Sequence, residues 1–429
     1  MNVWPFRSRC WVIVAIISPI IVPACLVSFD DWPDAVPSRG GAGFSGTSTG
    51  GQNGGGAASG GVPANGGAAG GGNGSIGGSA GAAICNDGIR QSPEQCDGSD
   101  LGGKTCATIG LGQNGSLGCT DQCVLDTSAC APILVLFGGA YSAYRTDVLG
   151  DTWEYSQKTW KQVAVAGPYA RSNAGIVSSG KGVLLFGGYD SLGYFGDSWL
   201  WDGKTWTQVV GLTSQPSPRH GPAMARLGDQ VILFGGWGST GHLDDTWSWD
   251  GDTWTELYPE HRPFSSDGAT LANLGGDRLV LFGGKTGGTV DAGFETFEWD
   301  PDKQDWLALS VTPHPLTPRW YIEGATWGGT VLLFGGVTGQ ATPNTVYGDT
   351  WLWNGSSWSL PSLTGSPPPA RYYYAAGPTG SGVVVFGGCG VTGSLLSDTW
   401  EFDGTKWAQN PTPVPSTLGP RMYVQFAAR

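Results

Sequence analysis

Nine cysteines, four histidines and 13 tyrosines hold most of the reactive side chains of this 429-residue chain. Six of the cysteines, Cys85, Cys96, Cys106, Cys119, Cys123 and Cys130, crowd into fewer than 50 residues. So short a stretch buries too little apolar area to fold by itself, and in an oxidising compartment its thiols pair, which predicts three disulfides of open connectivity. Zinc fits poorly, because the stretch contains no histidine. Asp87, Asp97 and Asp100 offer the hard oxygen ligands that Ca2+ takes, although solvated acids on a loop-rich knot are the plainer reading. Arginines form a second set. Arg171, Arg219, Arg319 and Arg371 each stand fifteen residues before a phenylalanine, and Arg421 lies in a related C-terminal stretch. Guanidinium forks grip carboxylates bidentately, so these positions suit either an acidic partner or an internal brace.

The elements that position these groups are repeats. "VLLFGGYDSLGYFGDSWLWDGKTWTQV", Val183 to Val209, recurs with variation six times, and the phenylalanines Phe137, Phe186, Phe234, Phe282, Phe334 and Phe386 stand 48 to 52 residues apart. The apolar, β-branched run before each diglycine predicts a strand buried on both faces. The glycines turn the chain where a Cβ would clash. The later segment alternates polar with aromatic residues, turns at "DG" or "NG" and returns through a tryptophan, a hairpin pattern. Fifteen of the 21 tryptophans occupy three repeated positions, represented by Trp199, Trp201 and Trp206. A single meander cannot hide that aromatic area, but meanders stacked face to face can.

Diglycine after an apolar strand, a later aromatic and a closing tryptophan resemble the kelch repeat, whose period is about 50 residues. The resemblance covers residues 131–429 and implies an all-β, six-bladed propeller. The first copy has no room for an arginine-bearing strand, whereas "PRMYVQFAAR", Pro420 to Arg429, is an orphan of that type. We therefore expect the C-terminus to complete blade one and close the ring, leaving no edge to aggregate.

Strand order then assigns faces. Loops after the diglycines and connections before the arginines share one face, and the short turns lie opposite. The first set is long and unlike from blade to blade, which is where binding usually sits. Candidate binding residues there are Tyr141, Tyr144, Tyr189, Tyr194, His220, Trp237, His242, Trp320, Tyr347 and Tyr372, whose polar-tipped rings suit protein or glycan surfaces. The arginines Arg171, Arg219, Arg319, Arg371 and Arg421 ring the same rim. By resemblance to kelch propellers they would hold acidic partners, while their repetition favours bracing. By residue count, Asp267 takes their place in blade four. Copper radical oxidases share a kelch-like propeller and use two His, two Tyr and a Cys. All four histidines (His220, His242, His261, His314) map to the candidate face, but that motif context is not recognisable. Neither a nucleophile elbow, a phosphate loop nor paired catalytic acids are legible, so no enzyme activity, metal or cofactor is expected.

The N-terminal 130 residues carry addresses. Residues 1–24 read as a signal peptide, with Arg7 and Arg9 before a 12-residue apolar core too short for a membrane span. "VPAC" resembles a bacterial lipobox and makes Cys25 the lipidation candidate, with 25–39 the anchor region. Ordinary signal cleavage is the alternative, giving a secreted or periplasmic product. Residues 40–83 form a glycine-rich flexible linker, and 84–130 the cysteine module. Cys10 leaves with the signal, Cys25 takes lipid, six cysteines pair, and Cys389 is expected as a free thiol. The net charge of −13 disfavours nucleic acid. The reading is an exported, lipid-anchored, monomeric scaffold at the outer membrane or cell surface, touching membrane through its lipid alone. A propeller enzyme and a purely structural surface component are the alternatives.

Overall fold

The apolar run before each diglycine becomes the second strand of a four-stranded antiparallel blade. In blade two, Gly175–Ser179, Gly182–Phe186, Ser198–Trp201 and Trp206–Gln208 follow one another from axis to rim. The computed structural model describes residues 96–106, 117–120, 123, 125–126, 132–142, 146–163, 166–286, 295–311, 316–339 and 345–429, and every element among them is a strand. The diglycine strand is shielded on both sides, since Val183, Leu184, Leu185 and Phe186 are all buried. Blades three to six begin with Ala223–Leu227, Ser266–Gly275, Glu323–Trp327 and Ala375–Thr379 and repeat the order. All six first strands face the axis. That of blade one comes from the far end of the chain: Ala427–Ala428 pairs with Leu134–Phe137 in the register Leu134↔Ala428 and Val135↔Ala427. The expected six-bladed ring and its C-terminal closure are both present.

Tryptophans tie neighbouring blades together. The indole N–H of Trp206 donates to Thr152 Oγ1 (2.9 Å), and Trp254, Trp306, Trp358 and Trp407 donate in the same way to Ser198, Thr246, Thr296 and Thr350. Trp160 of blade one completes the circuit by donating to Thr399 of blade six (3.1 Å). Each of these indoles also packs against a diglycine phenylalanine of the preceding blade, as Trp206 does on Phe137 with ring centres 5.5 Å apart. A polar tip satisfied across the interface lets a large ring be buried without an orphan donor.

The first glycine of the pair is required by the neighbouring blade as well as by its own turn. Gly335 has φ +67°, and a Cβ there would stand 2.5 Å from the Arg371 carbonyl oxygen of the next blade. No side chain fits in that space.

In the cysteine module, Cys96 and Cys119 form a disulfide, and Cys106 and Cys123 are also bonded. Cys389 is disulfide-bonded too. This corrects the expected free thiol: Cys389 is left over only if Cys10 and Cys25 are both committed elsewhere, and cysteine count alone does not fix that. Cys25, Cys85, Cys130, Asp87, the signal and the linker lie outside the described residues.

Candidate functional site

The long-loop face is assembled from two kinds of segment, the loops that follow each diglycine and the connections that run from an outermost strand to the next blade. The repeated arginines anchor both. Arg171, Arg219, Arg319, Arg371 and Arg421 are at most 2% exposed, and each grips one aspartate with two nitrogens: Asp197, Asp245, Asp349, Asp398 and Asp151 respectively. The same guanidinium reaches the first diglycine carbonyl of its own blade, as Arg171 does to Gly187 O at 2.9 Å. At Arg171, Arg219, Arg371 and Arg421 the main-chain carbonyl also accepts from the second glycine of the preceding blade, as Arg171 O does from Gly139 N at 3.1 Å. One residue therefore locks two blades, and the geometry is that of the brace. A tryptophan two residues after each aspartate donates to it as well, as Trp199 does to Asp197 at 2.7 Å. Burial alone raises the Asp197, Asp245 and Asp398 carboxyls, but the arginine's hydrogen bonds and charge, with the indole bond, hold all three below the ordinary carboxylate range.

Blade four lacks the whole unit. Ser266, not Asp267, stands where the arginine stands elsewhere, because its carbonyl faces Gly235 as the Arg219 carbonyl faces Gly187. An irregularity between Asn273 and Gly275 adds one residue to the strand and shifts the count. Glu295 and Phe297 replace the aspartate and tryptophan.

The aromatic candidates divide by burial. Tyr189, Tyr194, His220 and Tyr372 are buried and pack toward the axis. Trp237, His242, Trp320 and Tyr347 are half-buried, and Tyr141 is exposed. Tyr144 and His314 lie outside the described residues. His220 and His242 share blade three, but Trp237 pairs with both across adjacent strands and lies between them. His220 Nδ1 accepts from Asn173 Nδ2 (2.8 Å), while His242 Nε2 lies 3.0 Å from Asp267 Oδ1. The two rings thus serve different contacts. Tyr347 stacks under the Arg319 guanidinium at 3.9 Å.

Beneath these loops the six blades converge on a ring that sequence reading missed. Asn173, Gly221, Gly268, Tyr321, Tyr373 and Tyr423, one per blade, have φ between +53° and +64°. Each amide donates to the carbonyl of the residue before it around the circle, and Asn173 N closes it on Tyr423 O (3.1 Å). The rings of Tyr321, Tyr373 and Tyr423 stack at 4.1 and 4.0 Å and fill the axis. Left-handed backbone costs about 1–2 kcal/mol at a non-glycine residue, and the closed circuit of hydrogen bonds offsets it. The available signal was the position two residues after each arginine, held by asparagine, glycine or tyrosine, types that tolerate or pack at such a turn.

Below the ring, the first strands of all six blades surround a channel of about 570 Å3. None of the six ring residues lines it, whereas exposed Gly228, Gly275 and Gly276 at the short turns do. The channel is therefore blind toward the long loops and open on the opposite face.

Six four-stranded blades, each with a diglycine and a tryptophan clasp and five of them with an arginine brace, define a kelch-repeat β-propeller. The KLHDC2/KLHL20/DRC7 kelch-repeats domain family matches residues 124–336 and 268–428, and the chain belongs to that family. Among curated proteins it is 32% identical to the dynein alpha chain of the flagellar outer arm of Chlamydomonas reinhardtii over 127 residues, 28% of this chain and 3% of that protein. It is likewise 32% identical to Adagio-like protein 3 of Oryza sativa subsp. japonica over 130 residues, 28% of this chain and 20% of that one. The chain thus spans a small part of the curated relatives it matches.

Proposed function

We propose that this chain is exported, anchored by lipid at Cys25, and uses its propeller as a scaffold that binds a protein through the long-loop face. The distribution of exposed apolar side chains carries the reading. Of the nine large hydrophobics exposed among the described residues, eight lie in the post-diglycine loops or the connections between blades, among them Tyr141, Tyr169, Leu192, Tyr258, Phe264 and Val391. Leu307, on an outermost strand, is the exception. Single exposed apolar residues need no explanation, but their collection on one face of a braced ring suits a partner that covers them. The family supports a binding scaffold rather than a catalyst.

Two measurements test the proposal. Affinity capture with the full chain should recover a protein that is lost with Tyr169→Ala, Tyr258→Ala, Phe264→Ala while the melting temperature is unchanged. Capture unaffected by the triple variant would remove the face, and binding on a glycan array in place of protein capture would make the ligand a sugar. Labelling with a palmitate analogue should mark the wild type and not Cys25→Ala; equal or absent labelling removes the anchor.

A further inference from the structure

At the blind end of the channel, the first-strand residue paired with the diglycine phenylalanine is Gly175, Ala223, Thr270, Glu323 or Ala375 in blades two to six. One of these five positions is charged. Glu323 lines the channel and keeps part of its surface open to it. Its Oε1 accepts from Gln425 Nε2 (2.8 Å), the one side-chain hydrogen bond of this carboxyl among the described residues. The backbone around it is pinned, since Glu323 N donates to Tyr374 Oη (3.1 Å) and that hydroxyl lies 3.0 Å from Glu323 O. Arg226 is the other charged lining residue, and its guanidinium is turned toward the mouth, where Nε donates to Gly228 O (2.7 Å). The result is a fixed carboxyl facing a void walled by small side chains such as Ala223, Ala269 and Ala376, with no cation paired to it among the described residues.

We propose that the channel binds a small organic cation bearing a primary ammonium, which enters from the short-turn face and ends on the Glu323 carboxylate. An ammonium supplies the missing positive charge and three donors for the carboxylate and nearby carbonyls. The channel volume lies within the range of roughly 300–1,000 Å3 usual for small-molecule sites. A chain of net charge −13 attracts cations from solution.

Burial, opposed by the Gln425 bond, pushes the empty carboxyl up to about 8. Burial likewise lifts the nearby hydroxyls of Tyr321, Tyr373, Tyr374 and Tyr423 above the usual tyrosine value. Asp267 and its neighbour His242 belong to the long-loop side of the ring, and the Arg226 guanidinium lies at the mouth. Below about pH 8 an ammonium therefore binds with release of the Glu323 proton.

Isothermal titration of the full chain with n-hexylamine, hexan-1-ol and hexanoate tests this. The amine should bind at least about tenfold more tightly than either analogue, lose up to about tenfold in affinity per pH unit below pH 8, and release close to one proton when buffers of different ionisation heat are compared. Glu323→Gln should weaken amine binding at least about tenfold. Ser178→Trp, which narrows the wall nearer the mouth, should do the same and serves as the test where the glutamine variant does not fold. No amine binding, undiminished binding in the folded variants, or an alcohol that binds as well as the amine overturns the proposal.

Discussion

Each repeated arginine is buried while its aspartate stays partly exposed; in the Arg171–Asp197 pair the side chains are 0% and 20% exposed. Removing the carboxylate strands a charge in the interior. Asp197→Ala should therefore cost about 3–5 kcal/mol in denaturant unfolding, far more than loss of a surface pair. The same aspartates set the acid limit. The Asp197, Asp245 and Asp398 carboxyls are held below the ordinary value of 3.8, so their contribution is complete above the unfolded value and is lost as pH falls through the folded one. Stability of the wild type should fall steeply there, and Asp197→Asn should start lower and fall less. Trp206→Phe keeps a ring against Phe137 but deletes the bond to Thr152, and should cost about 1 kcal/mol with Thr152 left unsatisfied. The arginine positions were legible from their repetition. Their partners were not, because each aspartate lies 26 to 30 residues downstream in blades two, three, five and six, beyond a loop of variable length, and 270 residues upstream for Arg421.

Closure is the decisive event at the scale of elements. The C-terminal segment supplies Ala427–Ala428 to blade one, Arg421 to Asp151, Tyr423 to the axial ring and Gln425 to the channel floor. Deleting Leu418 to Arg429 exposes the edge of Leu134–Phe137 and opens two blade interfaces, so the truncated chain should aggregate or melt well below the intact one. A synthetic "LGPRMYVQFAAR" peptide should partly rescue it. Deleting Gly40 to Gly81 is the control and should leave propeller melting unchanged. A truncated chain that melts like the wild type would mean that the ring is held without its last strand. This element was readable because one missing strand and one surplus strand of the same pattern must meet in a closed ring. The shift in blade four was not readable, since an extra residue in one strand leaves the apolar alternation on either side intact.

For the whole molecule, the two ends of the axis are opposites: one is plugged by tyrosines under long loops, the other open to a carboxyl at the bottom of a channel. The buried Glu323 makes stability depend on pH in the opposite sense to the aspartates. In the unfolded chain it titrates near 4.5 and in the folded one near 8, so its contribution is complete below the first value and is lost as pH rises through the second. Glu323→Gln does not titrate. Its melting temperature relative to wild type should therefore rise between pH 5 and pH 9, by at least about 3 °C. A constant difference across that range would show that the carboxyl is not held protonated.

The sequence by itself determined the blades, their number, their closure and the face on which long loops gather. Those properties follow from local rules: strand alternation, glycine conformations and a repeat that copies both every 48 to 52 residues. Tertiary structure decided which side chains at that face are buried, that the arginines are committed to internal aspartates, and that the axis is sealed by a ring and hollow beneath it. The reason is convergence. Asn173, Gly221, Gly268, Tyr321, Tyr373 and Tyr423 look unrelated along the chain, and Glu323 looks like one acid among many. They become a plug and a site when six distant segments are brought to one axis, where each contributes a single residue and the neighbours on either side come from other blades.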